Sequence, residues 1–473
     1  MKICISFLSF LMFVSATAQD ITGQWLGVLK VQNTQLRIVF HIEKDGDGYR
    51  STMDSPDQGA KGIPVSATTF VGSKIILAIP AATIEYQGKL EEDSITGTFR
   101  QSGMEFPLNL GRLKAEQGAE LISPAKASRP QEPEPPYPYL SEDLEFENNE
   151  AGISLAGTLT VPKSPGPFPA VVLITGSGPQ NRNEELLGHK PFLVLADHLT
   201  RNGIAVLRFD DRGIGESGGD FSTATSLDFV TDVASAVAYL KSRKEIDPLK
   251  IGLIGHSEGG MVAPMVASRS KDVSFMVLLA GTGLPGYKIV SMQNLLISRA
   301  AGADEQELLE ANAFNDRLLA LVVNNKDQSK LSVELTTMMA DRLNADTTIQ
   351  LPPGISKEQY AAMQANQLVS PWMQFFLKHD PAPVLEKITI PVLALNGEKD
   401  LQVPPKENLG AIEVALKKAG NSGSTVKELP GLNHLFQEAE TGSPSEYGTI
   451  EQTMSPLALN TISDWIRMKM KMK

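Results

Sequence analysis

Cysteine is nearly absent: the chain has 473 residues and a single cysteine, Cys4. It falls inside MKICISFLSFLMFVSATA, residues 1–18, where Lys2, a short apolar run from Ile3 to Val14 and the small residues Ala16-Thr17-Ala18 follow in the order of a secretory signal peptide. Cleavage before Gln19 leaves a mature chain with no disulfide, no thiol nucleophile and no cysteine-ligated metal. A lipoprotein would carry its cysteine at the cleavage point, and Cys4 sits too early. Long apolar runs are missing as well. Nothing reaches the roughly 20 residues a membrane span needs, so no stable span is expected, and the expected location is secreted or periplasmic. Basic charge is short: 43 Lys and Arg stand against 55 Asp and Glu, a net −12, which argues against a nucleic-acid-binding surface. The 42% hydrophobic content excludes global disorder, and the length implies two or three domains.

What is present divides by pattern. Residues 19–113 alternate as strands do, for example Gln35-Leu36-Arg37-Ile38-Val39-Phe40-His41-Ile42 and Lys74-Ile75-Ile76-Leu77-Ala78-Ile79, with turn signals at Asp45-Gly46-Asp47-Gly48, Gly72-Ser73 and Gly103. Short strands between Gly and Asp clusters predict a small antiparallel β-domain. Gly23-Gln24-Trp25 fits a buried core tryptophan better than a ligand cup. Residues 114–139, with six prolines between Ser123 and Tyr139, read as a stiff linker. From 140 to 473 the pattern becomes strand–helix alternation. Continuous apolar strands at Phe168–Ile174, Ile204–Phe209, Lys250–Gly255, Val273–Ala280 and Ile388–Leu395 predict a mainly parallel sheet covered on both faces. The stretch at about 283–387 breaks this rhythm and reads as a helical cap inserted between two strands.

The chemistry concentrates at Gly255-His256-Ser257-Glu258-Gly259-Gly260. A serine between a buried strand and a helix, with glycine two before and two after, suits a tight turn that projects its hydroxyl above the sheet edge. The following helix brings the Glu258 backbone N–H toward any oxyanion formed there. A second match, Gly215-Glu216-Ser217-Gly218-Gly219, lacks the flanking strand and helix and reads as a turn. A serine needs a base, and of the six histidines the one late in the chain, His434 in Pro430-Gly431-Leu432-Asn433-His434, has the required place after an acid. Asp400, after the buried strand Val392–Leu395, is the expected acid, with Glu398 its competitor. A second oxyanion donor is expected from the loop Gly176-Ser177-Gly178-Pro179, with Ser177 N–H favoured over Gly178. Asp210-Asp211-Arg212-Gly213 is expected to fix the neighbouring loop by arginine–carboxylate pairing.

Residues of about 140–470 resemble the α/β-hydrolase family, specifically bacterial secreted serine esterases with an N-terminal β-domain. The resemblance rests on Thr175–Pro179, Asp211–Ser217, Gly255–Gly260, Gly397–Asp400 and Asn433-His434 in that order. It implies a serine carboxylesterase in which Ser257 attacks a small-molecule ester, His434 is general base, Asp400 orients it and the Ser177 and Glu258 N–H groups bind the oxyanion. No cofactor or metal is implied, and oligomeric state is left open. A serine peptidase of the same fold and a non-catalytic carbohydrate- or lipid-binding protein are the rivals. Leu295, Leu296, Trp372, Phe375 and Phe376 are the expected cap residues lining the substrate pocket.

Overall fold

The computed structural model describes residues 20–472 except 32–33, 47, 59, 80–83, 102–103, 114–128, 326 and 346–355. The signal-peptide reading of 1–18 and the first part of the 114–139 linker therefore lie outside the described residues. The described residues form two compact units, one of residues up to 113 and the other of residues from 129 onward.

Among the described residues of the N-terminal unit the alternating sequence forms ten strands: β1 (Gly23–Val31), β2 (Thr34–Asp45), β3 (Gly48–Ser55), β4 (Ala60–Val65), β5 (Ala67–Val71), β6 (Lys74–Ile79), β7 (Ile84–Glu91), β8 (Ser94–Gln101), β9 (Met104–Pro107) and β10 (Leu110–Arg112). They pair antiparallel in the order β4-β3-β2-β1-β10-β8-β7-β6-β5, with β9 also on β8. The ends of this order approach one another, since Thr68 Oγ1 on β5 donates to Ser51 Oγ on β3 at 2.9 Å. The result is a small, nearly closed barrel. Period-two alternation sends Trp25, Phe40, Tyr86 and Phe99 inward, where they are buried among aliphatic side chains. Trp25 Nε1 donates to the Ile21 carbonyl at 2.9 Å, and the Arg112 guanidinium lies 4.3 Å from its ring centroid. Side chains thus fill the interior around Trp25.

Among its described residues the second unit is built on eight strands: β11 (Leu140–Asn148), β12 (Ile153–Val161), β13 (Phe168–Ile174), β14 (Ala205–Phe209), β15 (Ile246–His256), β16 (Phe275–Leu279), β17 (Val392–Gly397) and β18 (Thr425–Leu429). Their order is β11-β12-β14-β13-β15-β16-β17-β18, antiparallel as far as β14 and parallel from there on. β13, β14 and β16 are buried at every position because helices cover both faces. Helices Ser226–Ser242, Gly259–Ala267 and Pro405–Lys418 pack on one face, and Pro191–Arg201 and Pro456–Lys469 on the other. Between β16 and β17 the chain forms helices Gly286–Ala300, Glu305–Asn324, Gln328–Ala345, Lys357–Leu368, Pro371–Lys378 and Ala382–Leu385. No helix among the described residues is long and apolar enough to cross a membrane.

The described end of the proline-rich segment lies against this second unit. Arg129 donates to the carbonyls of Ile450 at 2.8 Å and Gly448 at 3.0 Å, and Gln131 Oε1 accepts from Thr453 N and Met454 N. Tyr139 Oη reaches Asp197 at 2.9 Å.

Candidate active site

The turn after β15 is where sequence dictates geometry most tightly. Ser257 has φ +51°, a left-handed conformation costly for any residue with a Cβ, and its N–H is held by the Leu279 carbonyl at 2.8 Å. The flanking glycines make that turn possible. A Cβ on Gly255 would lie 2.0 Å from the Gly259 carbonyl oxygen, and one on Gly259 would lie 2.2 Å from the Ile174 carbonyl oxygen. Backbone cannot yield to such contacts without moving the end of β13 and the Gly176–Ser177 loop behind it. Gly259→Ala is therefore expected to destabilise the fold by about 1–3 kcal/mol and to remove the activity argued below, read as a lower thermal midpoint together with lost turnover.

Two distant loops meet at this turn. Asp400, just past β17, is buried and accepts His434 Nδ1 at 2.8 Å through Oδ2, while its Oδ1 accepts the N–H groups of Gln402 and Val403, each at 2.8 Å. The competitor Glu398 is exposed and accepts the Gly431 N–H instead. With Nδ1 facing a carboxylate, the His434 ring carries its acceptor at Nε2. His434 and Ser257 both line a cavity of about 340 Å³, without a hydrogen bond between them among the described residues. Catalytic contacts of this kind are commonly long in the absence of substrate.

Around the same cavity the backbone N–H groups fall into two groups. Gly176 N–H is already taken by Glu184 Oε1 at 2.7 Å. The N–H groups of Ser177 and Glu258 have no acceptor among the described residues, so both remain able to bind an oxygen. The Glu258 side chain points into the protein. Its Oε1 accepts from Ser226 Oγ at 2.5 Å and Trp372 Nε1 at 2.8 Å, and burial pushes its carboxyl above the usual range against these hydrogen bonds. Oε2 has no hydrogen-bond partner among the described residues. Asp211, which accepts from Thr175 Oγ1 at 2.7 Å and Gln180 N at 2.9 Å, is likewise pushed up by burial, to about 8. Carboxyls this deep tie the loop after β13 to the sheet.

The neighbouring loop is fixed by arginine pairs. Arg212 Nε and Nη2 clamp both oxygens of Asp232, at 2.8 and 2.9 Å, and Arg182 pairs with Asp210 at 2.6 Å. Arg212 is buried in this pairing and is not among the residues lining the cavity. Ser217 donates to the Asp210 carbonyl at 2.7 Å and accepts from Ala156 N, a turn residue as its context suggested. Of the other histidines, His198 bonds Ser463, His189 bonds Thr453 and the Tyr447 carbonyl, and His41 pairs with Asp54 in the N-terminal unit.

The cap supplies the cavity wall differently from expectation. Trp372 and Phe376, stacked with centroids 5.3 Å apart, line it, as do Met373, Ile289 and Val290, but Leu295, Leu296 and Phe375 do not. On helix Gly286–Ala300 the lining positions are Ile289, Val290, Gln293 and Asn294, at spacings of three and four, and Leu295 and Leu296 are not among them. Gln180, Gln402 and Glu184 complete the polar side. The signal for Glu184 was the unbroken polar run Gln180–Glu185 in the loop after β13, which no periodicity marks. Among the described residues no group of His, Asp and Glu is arranged to hold a metal ion.

Comparison with known proteins agrees with this architecture. A family model, Hydrolase_4, described as serine aminopeptidase, S33, matches residues 190–352, a stretch that includes Ser257 but ends before Asp400 and His434. Esterase EstD of Thermotoga maritima is 29% identical over 307 residues, 64% of this chain and 63% of that protein. Thiohydrolase apmlB of Arthrinium phaeospermum is 24% identical over 55% of this chain and 87% of its own. Among solved structures, Pyrococcus furiosus esterase PF2001 is 14% identical, with a TM-score of 0.42 over 70% of this chain and 92% of that one. With the strand order of its second unit and the serine turn between β15 and the helix after it, the chain has an α/β-hydrolase fold and is similar to hydrolases and esterases of that family.

Proposed function

We propose that the protein is a serine carboxylesterase of small-molecule esters. The observation that carries the reading is the pairing of buried Asp400 with His434 at 2.8 Å, with His434 lining the same cavity as a serine on a left-handed turn. In this mechanism His434 Nε2 takes the Ser257 proton as Oγ attacks the ester carbonyl. Asp400 holds the ring in the Nδ1–H tautomer and stabilises the imidazolium. The Ser177 and Glu258 N–H groups receive the oxyanion, and the alcohol leaves with the proton from His434. Water, activated by the same nitrogen, then releases the acid.

The name of the matching family model raises peptide or aminoacyl amides as the alternative substrate. An aminopeptidase must meet a substrate ammonium with a carboxylate. Among the described residues the one acid lining the cavity is Glu184, and it already accepts from Gly176 N–H and His256 Nδ1. Among the described residues no Lys or Arg lines the cavity, which favours an uncharged ester. The signal-peptide pattern of residues 1–18 supports a secreted or periplasmic location.

The test compares p-nitrophenyl acetate with aminoacyl and peptidyl p-nitroanilides on the purified full chain, alongside a fluorophosphonate label. Rapid ester turnover, little amide turnover and labelling at Ser257 are expected. Amide turnover at equal or greater kcat/KM would replace the esterase reading with the peptidase one, and binding without turnover or labelling would defeat both.

A further inference from the structure

His256 adjoins Ser257 in sequence yet takes no part in the steps above. Its ring is buried, and both of its nitrogens face acceptors: Nδ1 lies 2.9 Å from Glu184 Oε1, and Nε2 lies 3.0 Å from the His434 carbonyl oxygen. A neutral imidazole has one N–H and can satisfy only one of these; the doubly protonated ring satisfies both. Glu184 Oε1 also accepts the Gly176 N–H at 2.7 Å. One chain of hydrogen bonds therefore runs from the loop after β13, through Glu184 and His256, to the backbone of the residue whose side chain is the general base. The two histidine rings lie 4.9 Å apart, tilted by 46°.

We propose that the buried Glu184–His256 ion pair is a positioning device that holds the oxyanion loop and the His434 backbone in register, so that turnover requires His256 charged while His434 is neutral. The proposal rests on the serine-hydrolase reading of Ser257. The groups acting on the His256 ring are the Glu184 carboxylate, the His434 carbonyl and, further off, Asp400. Burial opposes the ring's charge, but Glu184 and the carbonyl outweigh it and hold His256 above its ordinary value. The sign follows directly. A histidine raised in the folded state contributes its interaction fully below its unfolded value and loses it as pH climbs through the folded one. Activity should thus fall on the alkaline side as the clamp opens.

The experiment uses the full chain with ¹⁵N-labelled histidine, the variants Glu184→Gln and His256→Gln, and Ser257→Ala as a control. In wild-type protein near neutral pH the ring nitrogens assigned through His256→Gln should both show the shifts of a protonated imidazolium. Glu184→Gln removes the largest raising influence, so the alkaline midpoint of kcat for p-nitrophenyl acetate should move down by about one pH unit. His256→Gln should lower kcat about 100-fold with KM little changed, the size expected for misplaced catalytic groups. A merely structural role would lower the thermal midpoint without moving the pH midpoint. A neutral His256 near neutral pH, or a Glu184→Gln profile that superimposes on wild type in an enzyme that still needs Ser257, overturns the positioning role alone. Wild-type turnover in Ser257→Ala overturns it together with the serine reading.

Discussion

Ser257→Ala is expected to lower kcat for p-nitrophenyl acetate about a million-fold, the scale on which loss of a serine nucleophile has been felt where base and oxyanion site remain. That corresponds to about 8 kcal/mol of transition-state stabilisation. The effect is clean here because the Ser257 hydroxyl makes no hydrogen bond within the described residues, so removing it leaves no buried partner stranded. Alanine also inherits the same backbone strain at φ +51° as serine. The variant should therefore keep the wild-type thermal midpoint while losing both turnover and fluorophosphonate labelling. Residual activity within tenfold of wild type would mean the hydroxyl is not the nucleophile.

Asp400→Asn should lower kcat by about four orders of magnitude with KM scarcely affected. The cause lies in which atoms surround the carboxyl. Oδ1 receives two backbone N–H groups, from Gln402 and Val403, so an asparagine must turn its oxygen that way. Its amide N–H₂ then faces His434 Nδ1 and stabilises the opposite tautomer. Nε2 becomes a donor toward Ser257 and can no longer take a proton. A drop smaller than tenfold, or one confined to KM, would show that Asp400 does not govern the histidine.

How far the sequence discloses this arrangement depends on whether a residue's role is local. The serine turn is local: Gly255, Ser257 and Gly259 lie within five positions, and their backbone collisions are implied by the spacing alone. Asp400 and His434 are legible because a parallel sheet delivers the loops after successive strands to one edge, so chain order becomes spatial proximity. The strand–helix rhythm from 140 onward is legible for the same reason. The barrel's pairing is harder. β10 lies between β1 and β8, and nothing in the three residues Leu110–Arg112 announces that partner choice. The cap lining fails at Leu295 and Leu296 because helix Gly286–Ala300 is half-buried along most of its length, leaving the apolar stripe without a clear phase. Glu184 is hard to read from sequence because the polar run around it carries no periodicity and its partner His256 lies 72 residues away at the end of β15.

The way Arg129 and Gln131 fasten onto the carbonyls and amides of residues 448–454 sets where the second unit can be excised. A fragment starting at Leu140, the first residue of its sheet, would strip those amides and carbonyls of their partners and uncover the segment leading from His434 into the last helix. The natural cut lies upstream of Arg129, so that a short proline-bearing strap travels with the enzyme as part of its body.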